Sequence, residues 1–547
     1  NSYKIYIFAN KNYFLCMMSK DVKILMLFTL LCFFSCQSDE TIDNNFQDDI
    51  IQQLIPTPNS IFVEEKFLDI SQGFNLQTEN ILMEDKDNFL SYLQSTSLKM
   101  TDDGIVLDLI LDVNNIKDDE KERYKLIING DGVKIKASTS AGLFYGIQTL
   151  RQLTTKGNTY LTKIPYLEID DKPKFSYRGM HFDVARHFFS IDYLKKQIDM
   201  MAYYKLNHFH WHLTDIQGWR MQINKHPELT SIAAWRTHAD CIEWSTYSGL
   251  YVEEGTSNAY GGYYTQEEIK DFVEYASQRH VTIIPEIEMP GHSAEVLAVY
   301  PSLSCTGLPY TSYELCVGND ETFIFLENVL QEVIDVFPSE YIHIGGDEVD
   351  TSHWRSCPKC QKRMKLEGLK NESDLQVYLI NRITDFLKVR NRKPVVWYES
   401  LSNVSEEAIA MIWRDKDDSK NAIKKGHNVI MAPSEFCYFD YYQGSPATQP
   451  KAMGGYLPIE KVYSFKSELN DISSSEMKNI LGVQANLWTE YISTESHADY
   501  MIWPRLLALS EIAWNNQKQQ WRLFFRPKID FSISFLQNQG FNPCTTN

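Results

Sequence analysis

The segment Gly345-Gly346-Asp347-Glu348 places two carboxyl groups on consecutive residues behind two glycines. Glycine gives the backbone room to turn and lets a ligand approach closely. Consecutive residues of a strand point to opposite sides, so Asp347 and Glu348 act on one bond only if a turn brings them together. The pattern therefore predicts unequal roles, with one carboxyl as a general acid and the other acting on a different part of the ligand.

These carboxyls need a scaffold, and the surrounding sequence indicates a parallel α/β architecture. From residue 175 on, short apolar runs alternate with longer amphipathic segments. One helix is predicted by a capping box at Thr265 and Glu268, followed by an apolar stripe. Eight such units predict a (β/α)8 TIM barrel with insertions. An open doubly wound sheet is the alternative, but no glycine-rich dinucleotide turn follows the first strand. The strands are predicted to begin near Tyr177, Leu206, Val281, Tyr341, Pro394, Ala410, Asn428 and Leu481.

In such a barrel the active site lies at the C-terminal ends of the strands. Acids and aromatic residues recur at nearly all of the predicted ends, and any one of them alone is explained equally well as core or as a structural ion pair. Together they suit a carbohydrate, since aromatic faces cover C–H surfaces and charged groups bind vicinal hydroxyls. Besides Asp347 and Glu348, the candidates are Arg178, Asp215, His292, Trp397, Trp413, Tyr438, Asp440, Trp488 and Glu490.

A small α/β domain is predicted before the barrel, over residues 54–171. Leu126 and Ile128 alternate, Asn129-Gly130-Asp131-Gly132 turns, and the alternation then resumes, which is typical of a hairpin. A helix over residues 141–153 follows. Asp170-Asp171-Lys172-Pro173 interrupts the pattern, so the barrel is assigned to residues 172–525 and a C-terminal tail to residues 526–547.

The N-terminal region indicates export. Met17 resembles the initiating methionine of the protein. Lys20 and Lys23 then precede an apolar run over residues 24–34, which is too short to span a bilayer. A small residue then precedes Cys36, as in bacterial lipoprotein signals, so lipidation of Cys36 is expected after an upstream and signal segment of residues 1–36. An ordinary signal peptide is the alternative. Residues 37–53 are polar and acidic, as in a linker, and the expected location is the periplasm or the outer membrane or cell surface.

The net charge and the spacing of the cysteines argue against two further properties, nucleic-acid binding and structural zinc binding. The net charge of -19 opposes nucleic-acid binding. Cys305 and Cys316 lie close enough in sequence for a disulfide, and Cys357-Pro358-Lys359-Cys360 is either a disulfide or half of a zinc site. No second CxxC or paired His lies at structural-zinc spacing, so no metal site is predicted.

Several of these motifs resemble glycoside hydrolase family 20, the β-N-acetylhexosaminidases. The resemblance runs in order from residue 54 to residue 514, and one departure is Ile216, where the family often has a second Asp after the position of Asp215. The motifs of the barrel and of the small domain are Tyr177-Arg178-Gly179, Lys205-Leu206-Asn207, His210-Trp211-His212-Leu213-Thr214-Asp215, Glu288-Met289-Pro290-Gly291-His292, His343 with the residues up to Val349, Leu487-Trp488-Thr489-Glu490, Leu54-Ile55-Pro56-Thr57-Pro58 and Ala141-Gly142-Leu143-Phe144-Tyr145-Gly146.

The resemblance implies an exo-acting, retaining enzyme that removes terminal β-linked N-acetylhexosamine from glycans or chitooligosaccharides, without a cofactor or metal. In this mechanism the substrate's own acetamido oxygen attacks the anomeric carbon and forms an oxazolinium ion. Glu348 is then the general acid and base, Asp347 orients the acetamido group, and Tyr438 donates to its oxygen. The remaining implied roles are an N-acetyl pocket walled by Trp397, Trp413 and Trp488, a grip on ring hydroxyls by Arg178 and Glu490, a contact of Asp440 with the primary hydroxyl, and support of Glu348 by Asp215 and His292.

Two other functions remain open on the residues alone. His210 and His212 share one face of a strand, as in a metal-dependent barrel hydrolase. A glycan-binding lipoprotein without turnover is the second, although Asp347, Glu348 and Tyr438 are all present. The preference between glucosamine and galactosamine and the oligomeric state are not encoded in these motifs.

Overall fold

The structure, a computed structural model, describes residues 53–545 except residues 82, 114–116, 118–119, 157–158 and 516–520. The predicted signal segment and the lipidation site Cys36 lie outside the described residues. Within the described ranges no helix is both long and apolar enough to cross a membrane.

The small domain is a six-stranded mixed sheet covered by helix. Its strand order is β1-β6-β4-β5-β3-β2, and β4 and β5 form the predicted hairpin, with Asn129 opposite Gly132. Leu126 and Ile135 face each other across it and are fully buried. The elements are β1 (Ser60–Asp69), β2 (Phe74–Glu79), α1 (Met83–Gln94), β3 (Ile105–Leu111), β4 (Tyr124–Asn129), β5 (Gly132–Ala137), α2 (Ser140–Leu153) and β6 (Lys163–Asp171).

The second part of the chain is a closed barrel of eight parallel strands. The strands follow one another in chain order, and the last pairs with the first through Leu487 and Phe182. The predicted TIM barrel is therefore confirmed, and the open-sheet alternative is wrong. The strands are β7 (Tyr177–Asp183), β8 (His208–His212), β9 (Thr282–Glu286), β10 (Tyr341–His343), β11 (Lys393–Trp397), β12 (Ile409–Ile412), β13 (Val429–Met431) and β14 (Ile480–Leu487).

Amphipathic helices surround the barrel. Helix α4 begins with the predicted capping box, in which the Thr265 and Glu268 side chains accept from each other's backbone N–H groups. Ile269, Phe272 and Ala276 then form its fully buried stripe. The main helices are α3 (Ile191–Tyr203), α4 (Gln266–Ser277), α5 (Asp320–Val336), α6 (Pro358–Glu367), α7 (Glu372–Lys388), α8 (Ile459–Asn470), α9 (Arg505–Trp514) and α10 (Arg526–Asn538).

Short elements fill the loops between these strands and helices. The short helices are Glu228–Ser231, Cys241–Tyr247, Ala294–Val299, Pro301–Leu303, Ser352–Ser356, Asp418–Lys424, Ser434–Cys437, Pro446–Thr448, Met477–Asn479, Glu495–Ile502 and Trp521–Phe525. The short strands are Thr155–Lys156, Thr159–Tyr160, Thr214–Asp215, Gly218–Trp219, Trp235–Arg236, Tyr260–Gly261, Tyr441–Tyr442 and Gly454–Tyr456.

The small domain packs against the N-terminal end of the barrel. Arg178, at the start of β7, makes five side-chain hydrogen bonds there, two of them to the Glu122 carboxylate at 2.8 Å. Trp514 of α9 donates to Asp171 of β6 at 2.9 Å. Arg178, Asp171 and Trp514 are buried, Glu122 is partly buried, and the groups are mutually paired, so this end of the barrel is a structural interface.

The predicted C-terminal tail contains a packed helix. In α10 the Lys528 ammonium is fully buried and donates to the Leu54 carbonyl at 2.8 Å. Phe535 of the same helix stacks on Tyr203 of α3, with ring centroids 4.8 Å apart. The last helix therefore binds the start of the small domain to the barrel.

Candidate active site

The two adjacent carboxyls lie in a turn that follows β10. Gly345, Gly346 and Glu348 all have positive φ angles, of 61°, 100° and 50°. A non-glycine residue rarely adopts this conformation, and it commonly marks functional strain. The turn brings the Asp347 and Glu348 carboxylates to 3.8 Å from the same atom, Nε2 of His292. Thus the turn, and not a strand, sets their relative orientation.

Gly345 has a second reason to be glycine. A Cβ atom at this position would lie 1.8 Å from the Glu288 carboxylate oxygen. Glu288 is buried beneath the turn, and burial, followed by the charge of Asp347, raises the pKa of Glu288 well above its usual range. The turn therefore closes over a third carboxyl that favours its neutral form.

The environments of Asp347 and Glu348 differ strongly. The Asp347 side chain is 12% exposed, whereas the Glu348 side chain is 57% exposed. Burial raises the pKa of Asp347, and the charge of His292 opposes that rise. Glu348 thus lies at the opening, where a leaving group and water have access, and Asp347 lies inside the site.

A chain of hydrogen-bonding groups supports this pair. His292 Nδ1 lies 3.1 Å from Asp215, and the other Asp215 oxygen lies 3.0 Å from His212 Nε2. Burial alone would lower the pKa of His292, but the Asp215 carboxylate raises it well above its usual range. The structure therefore brings Asp215, His292 and Glu348 together, as the resemblance implies, and adds His212 behind them.

Aromatic side chains form one wall of the site. The Trp397 and Trp488 ring centroids are 5.7 Å apart, and those of Tyr438 and Trp488 are 6.4 Å apart. Trp413 and Trp488 both pack against the buried hydrophobic cluster inside the barrel that contains Trp397. Burial raises the pKa of Tyr438 well above its usual value, and Asp440 raises it further, so the phenol keeps its proton. The wall thus combines apolar faces with a hydrogen-bond donor.

The predicted role of Arg178 is wrong. Arg178 is the second residue of β7, so it lies at the N-terminal end of the barrel, where its guanidinium is fully buried and paired with Glu122. All five N–H donors of an arginine are used there. No donor is left for a substrate, and the site lies at the opposite end of the strands.

Arg186 is the arginine at the site. Its guanidinium lies 2.7 Å from Asp215 and 3.8 Å from Glu490, and it stacks on Trp488 at 4.9 Å. Its position directly after β7, three residues past Asp183, is the signal that could have identified it. Arg186 and Asp183, together with His212 and Glu288, are site residues that the sequence-based assignment left out.

Several buried polar atoms around the opening have no hydrogen-bond partner among the described residues. Buried polar groups are otherwise almost always paired, so such a set indicates a ligand or ordered water. Burial, followed by the charge of Glu490, also raises the pKa of Asp440 well above its usual range. The atoms are Asp347 Oδ1, Glu399 Oε1, Trp413 Nε1, Asp440 Oδ1 and Glu490 Oε2.

One carboxylate, Glu286, lies deeper in the barrel and is surrounded by histidines. Glu286 is fully buried and lies 3.0 Å from His210 Nε2 and 2.8 Å from His343 Nδ1. It also accepts from Trp397 Nε1 at 2.7 Å and pairs with His212. Although these residues are close enough to hold an ion, the carboxylate oxygens are already bound by protein donors. Glu286 therefore anchors Trp397 and the supporting histidines.

The chain is similar to known proteins along most of its length. The model of "Glycosyl hydrolase family 20, catalytic domain" matches residues 175–517, and that of "Glycosyl hydrolase family 20, domain 2" matches residues 52–172. A β-hexosaminidase of Porphyromonas gingivalis is 40% identical over 441 residues, which is 77% of this chain. This chain spans only 54% of the length of that protein.

Solved structures agree with the family models. A family 20 exo-β-N-acetylglucosaminidase from Vibrio harveyi, in complex with N-acetylglucosamine, matches with a TM-score of 0.78 and 31% identity over 90% of this chain and 78% of that one. A β-N-acetylhexosaminidase from Bacteroides fragilis matches with a TM-score of 0.77 and 30% identity over 90% and 96%. The chain therefore belongs to glycosyl hydrolase family 20.

Proposed function

We propose that the protein is an exo-acting β-N-acetylhexosaminidase that removes terminal, non-reducing, β-linked N-acetylglucosamine or N-acetylgalactosamine from glycans. The observation that carries this proposal is the set of buried, unpartnered polar atoms beside the aromatic wall. Trp413 Nε1, Asp440 Oδ1 and Glu490 Oε2 suit the hydroxyls and the amide of one sugar. The solved Vibrio harveyi relative, an exo-β-N-acetylglucosaminidase in complex with N-acetylglucosamine, supports the same sugar.

The arrangement of the carboxyls favours substrate-assisted catalysis with retention. In retaining enzymes with two catalytic carboxylates, one carboxylate attacks the sugar, whereas family 20 enzymes use the acetamido group of the substrate. Asp347, which is buried and close enough to Tyr438 to act on its pKa, orients that group and stabilises positive charge on its nitrogen. Tyr438 keeps its proton and donates to the acetamido oxygen. Glu348, at the opening, protonates the leaving oxygen and then activates water.

Arg186 replaces Arg178 in the proposed grip on the ring. It lies beside Glu490, and both side chains lie near Trp488, so a hydroxyl pair bound there is fixed against an aromatic face. Asp440, buried and close to Glu490, completes the acceptors for hydroxyls. Binding the non-reducing end in this closed corner makes the enzyme exo-acting.

The test compares two aryl glycosides with the same leaving group. We expect rapid hydrolysis of the β-N-acetylglucosaminide and negligible hydrolysis of the β-glucoside, because the glucoside lacks the internal nucleophile. A thiazoline mimic of the cyclised intermediate is expected to bind far more tightly than substrate. Proton NMR, recorded before mutarotation, should show the β-anomer as the first product. An initial α-anomer, or sugar binding without turnover, would reject the proposal.

We further propose that the protein is exported and anchored through lipid on Cys36. Support comes from the sequence alone, namely the basic start, the short apolar run over residues 24–34 and the small residue before the cysteine. The Cys36→Ala variant is expected to leave the membrane fraction or to accumulate as an unprocessed precursor. Equal membrane association of both forms would contradict lipidation at this residue.

A further inference from the structure

Four cysteine sulfurs from the segments that follow β9 and β10 converge on one point. The Sγ atoms of Cys305, Cys316, Cys357 and Cys360 all lie within 4.8 Å of one another. Cys316 lies 3.6 Å from both Cys357 and Cys360, and Cys305 lies 3.7 Å from Cys360. Three of the four side chains are buried and Cys305 is partly exposed.

These distances fit a metal tetrahedron. Zinc–sulfur bonds of about 2.3 Å place the sulfurs of a tetrahedral site about 3.8 Å apart along each edge. A disulfide requires about 2.05 Å and pairs each sulfur with one partner only. Here Cys316 and Cys360 each have two sulfur neighbours at similar distances, which is the arrangement of ligands around a common centre.

The spacing of these cysteines along the chain does not predict a zinc site. Cys357 and Cys360 form a CxxC pair, but the other half consists of Cys305 and Cys316, whose separation matches no common zinc pattern. The fold brings the halves together because the loop after β9 and the loop after β10 lie side by side. This geometry departs from the sequence-based expectation of no metal site, and it favours the half zinc site that the sequence left open for Cys357 and Cys360 over disulfides at either pair.

The local backbone is built to hold the sulfurs close. A Cβ atom on Gly318 would lie 2.2 Å from the Cys360 nitrogen and from the Lys359 carbonyl carbon, so only glycine lets the two halves approach. Cys357 is the N-cap of α6, and Cys360 lies in its first turn. The positive end of a helix stabilises thiolates, the form that binds metal.

We propose that Cys305, Cys316, Cys357 and Cys360 bind one structural zinc ion. Binding converts four thiols into four thiolates and releases four protons, so it needs no oxidant. The ion joins the segment that carries His292 to the segment that carries Asp347 and Glu348. Trp354, which is fully buried and lies between Glu348 and Cys357 in the chain, already links the two segments by donating to the Leu315 carbonyl at 3.1 Å.

The experiment measures metal and thiols in the full-length protein. After purification without chelator, elemental analysis should find one zinc per chain, and replacement by cobalt should give the visible bands of a tetrahedral cobalt–thiolate site. The variants Cys316→Ser and Cys360→Ser should lose the metal. Cys544→Ala is the matched control, because Cys544 is also buried but lies outside the cluster, and it should keep one zinc.

Mass spectrometry of alkylated protein separates the alternatives. We expect the four cluster thiols to react only after denaturation with a chelator. Metal-free protein with two disulfides, lighter by four hydrogens and unreactive until reduced, would overturn the proposal. Metal-free protein with four reactive thiols would overturn it as well. If the serine variants do not fold, the metal content and the cobalt spectrum of the unaltered protein still decide.

Discussion

The two ends of the barrel contain the same kinds of residues in opposite states. At the N-terminal end, all five N–H groups of the Arg178 guanidinium donate to protein acceptors. At the C-terminal end, Arg186 donates to Gln217 and Asp183 and pairs with Asp215 at 2.7 Å, but it also lies beside Glu490, whose Oε2 has no partner in the described residues. Residue type alone does not separate structure from function. Hydrogen bonding separates these two arginines, because all donors of Arg178 have protein partners whereas Arg186 lies among clustered acids with unpaired oxygens, which suit a ligand.

The largest expected effect is at the exposed carboxyl of the active end. Glu348→Gln should fold with an unchanged Tm, since the side chain is mostly solvent-exposed and the substitution keeps its size. Its kcat on a chitooligosaccharide should fall roughly 10²- to 10⁴-fold, the usual value of general acid catalysis. Steady-state kinetics beside a thermal melt check this. A near-normal kcat on this unactivated substrate would remove Glu348 from its role.

Asp347→Asn tests the buried member of the pair. Removing one preorganised charge contact from a dry site costs about 10²- to 10³-fold in kcat. We expect this loss with an aryl N-acetylglucosaminide, where leaving-group protonation matters little, and so Asp347 and Glu348 become separable by leaving group. Equal sensitivity of both variants to the leaving group would contradict their different roles.

Matched changes of the two arginines sharpen the comparison directly. Arg178→Met should lower the free energy of unfolding by roughly 3 kcal/mol, because it leaves Glu122 without its partner at a buried interface. Its KM should stay unchanged in the folded fraction. Arg186→Met should raise KM and lower kcat/KM. Denaturant unfolding and kinetics on both variants decide, and a raised KM in Arg178→Met would restore the sequence-based assignment.

The smallest expected effect concerns a buried carboxyl near Asp215. Glu295 is 1% exposed, and burial, followed by the charge of Asp215, raises its pKa from 4.5 to about 8. A raised carboxyl pKa means that its contribution to stability is present below pH 4.5 and is lost as the pH rises to 8. The free energy of unfolding of Glu295→Gln should therefore rise relative to that of the unaltered protein by about 2 kcal/mol between pH 5 and pH 6.5. A pH-independent difference in Tm would contradict the buried, neutral state of Glu295.

The sequence predicts the fold better than it predicts the site. Hydrophobic alternation and the capping box at Thr265 are local signals, and the eight strands begin within two residues of their expected starts. The error at Arg178 arose because a seven-residue strand has two ends, and residue type does not tell which end faces the ligand. The cysteine cluster was missed because its halves meet only through the fold. The twist between Asp347 and Glu348 likewise depends on backbone angles that a residue pattern does not specify.

The contact between α10 and the start of the small domain has a consequence for synthesis. The Leu54 carbonyl accepts from Lys528, which follows it by 474 residues, and the Thr57 backbone is bound by Glu511 and Asn515. A ribosome makes the chain from its N-terminus, so the first segment of the small domain emerges long before Glu511, Asn515 and Lys528 are made, although Gln152, which also binds Ile55, follows much sooner. These last contacts of the small domain therefore form only after nearly the whole polypeptide has been made. A nascent chain arrested before residue 505 should hold residues 54–57 in a protease-sensitive state, although the hairpin of β4 and β5 is already formed.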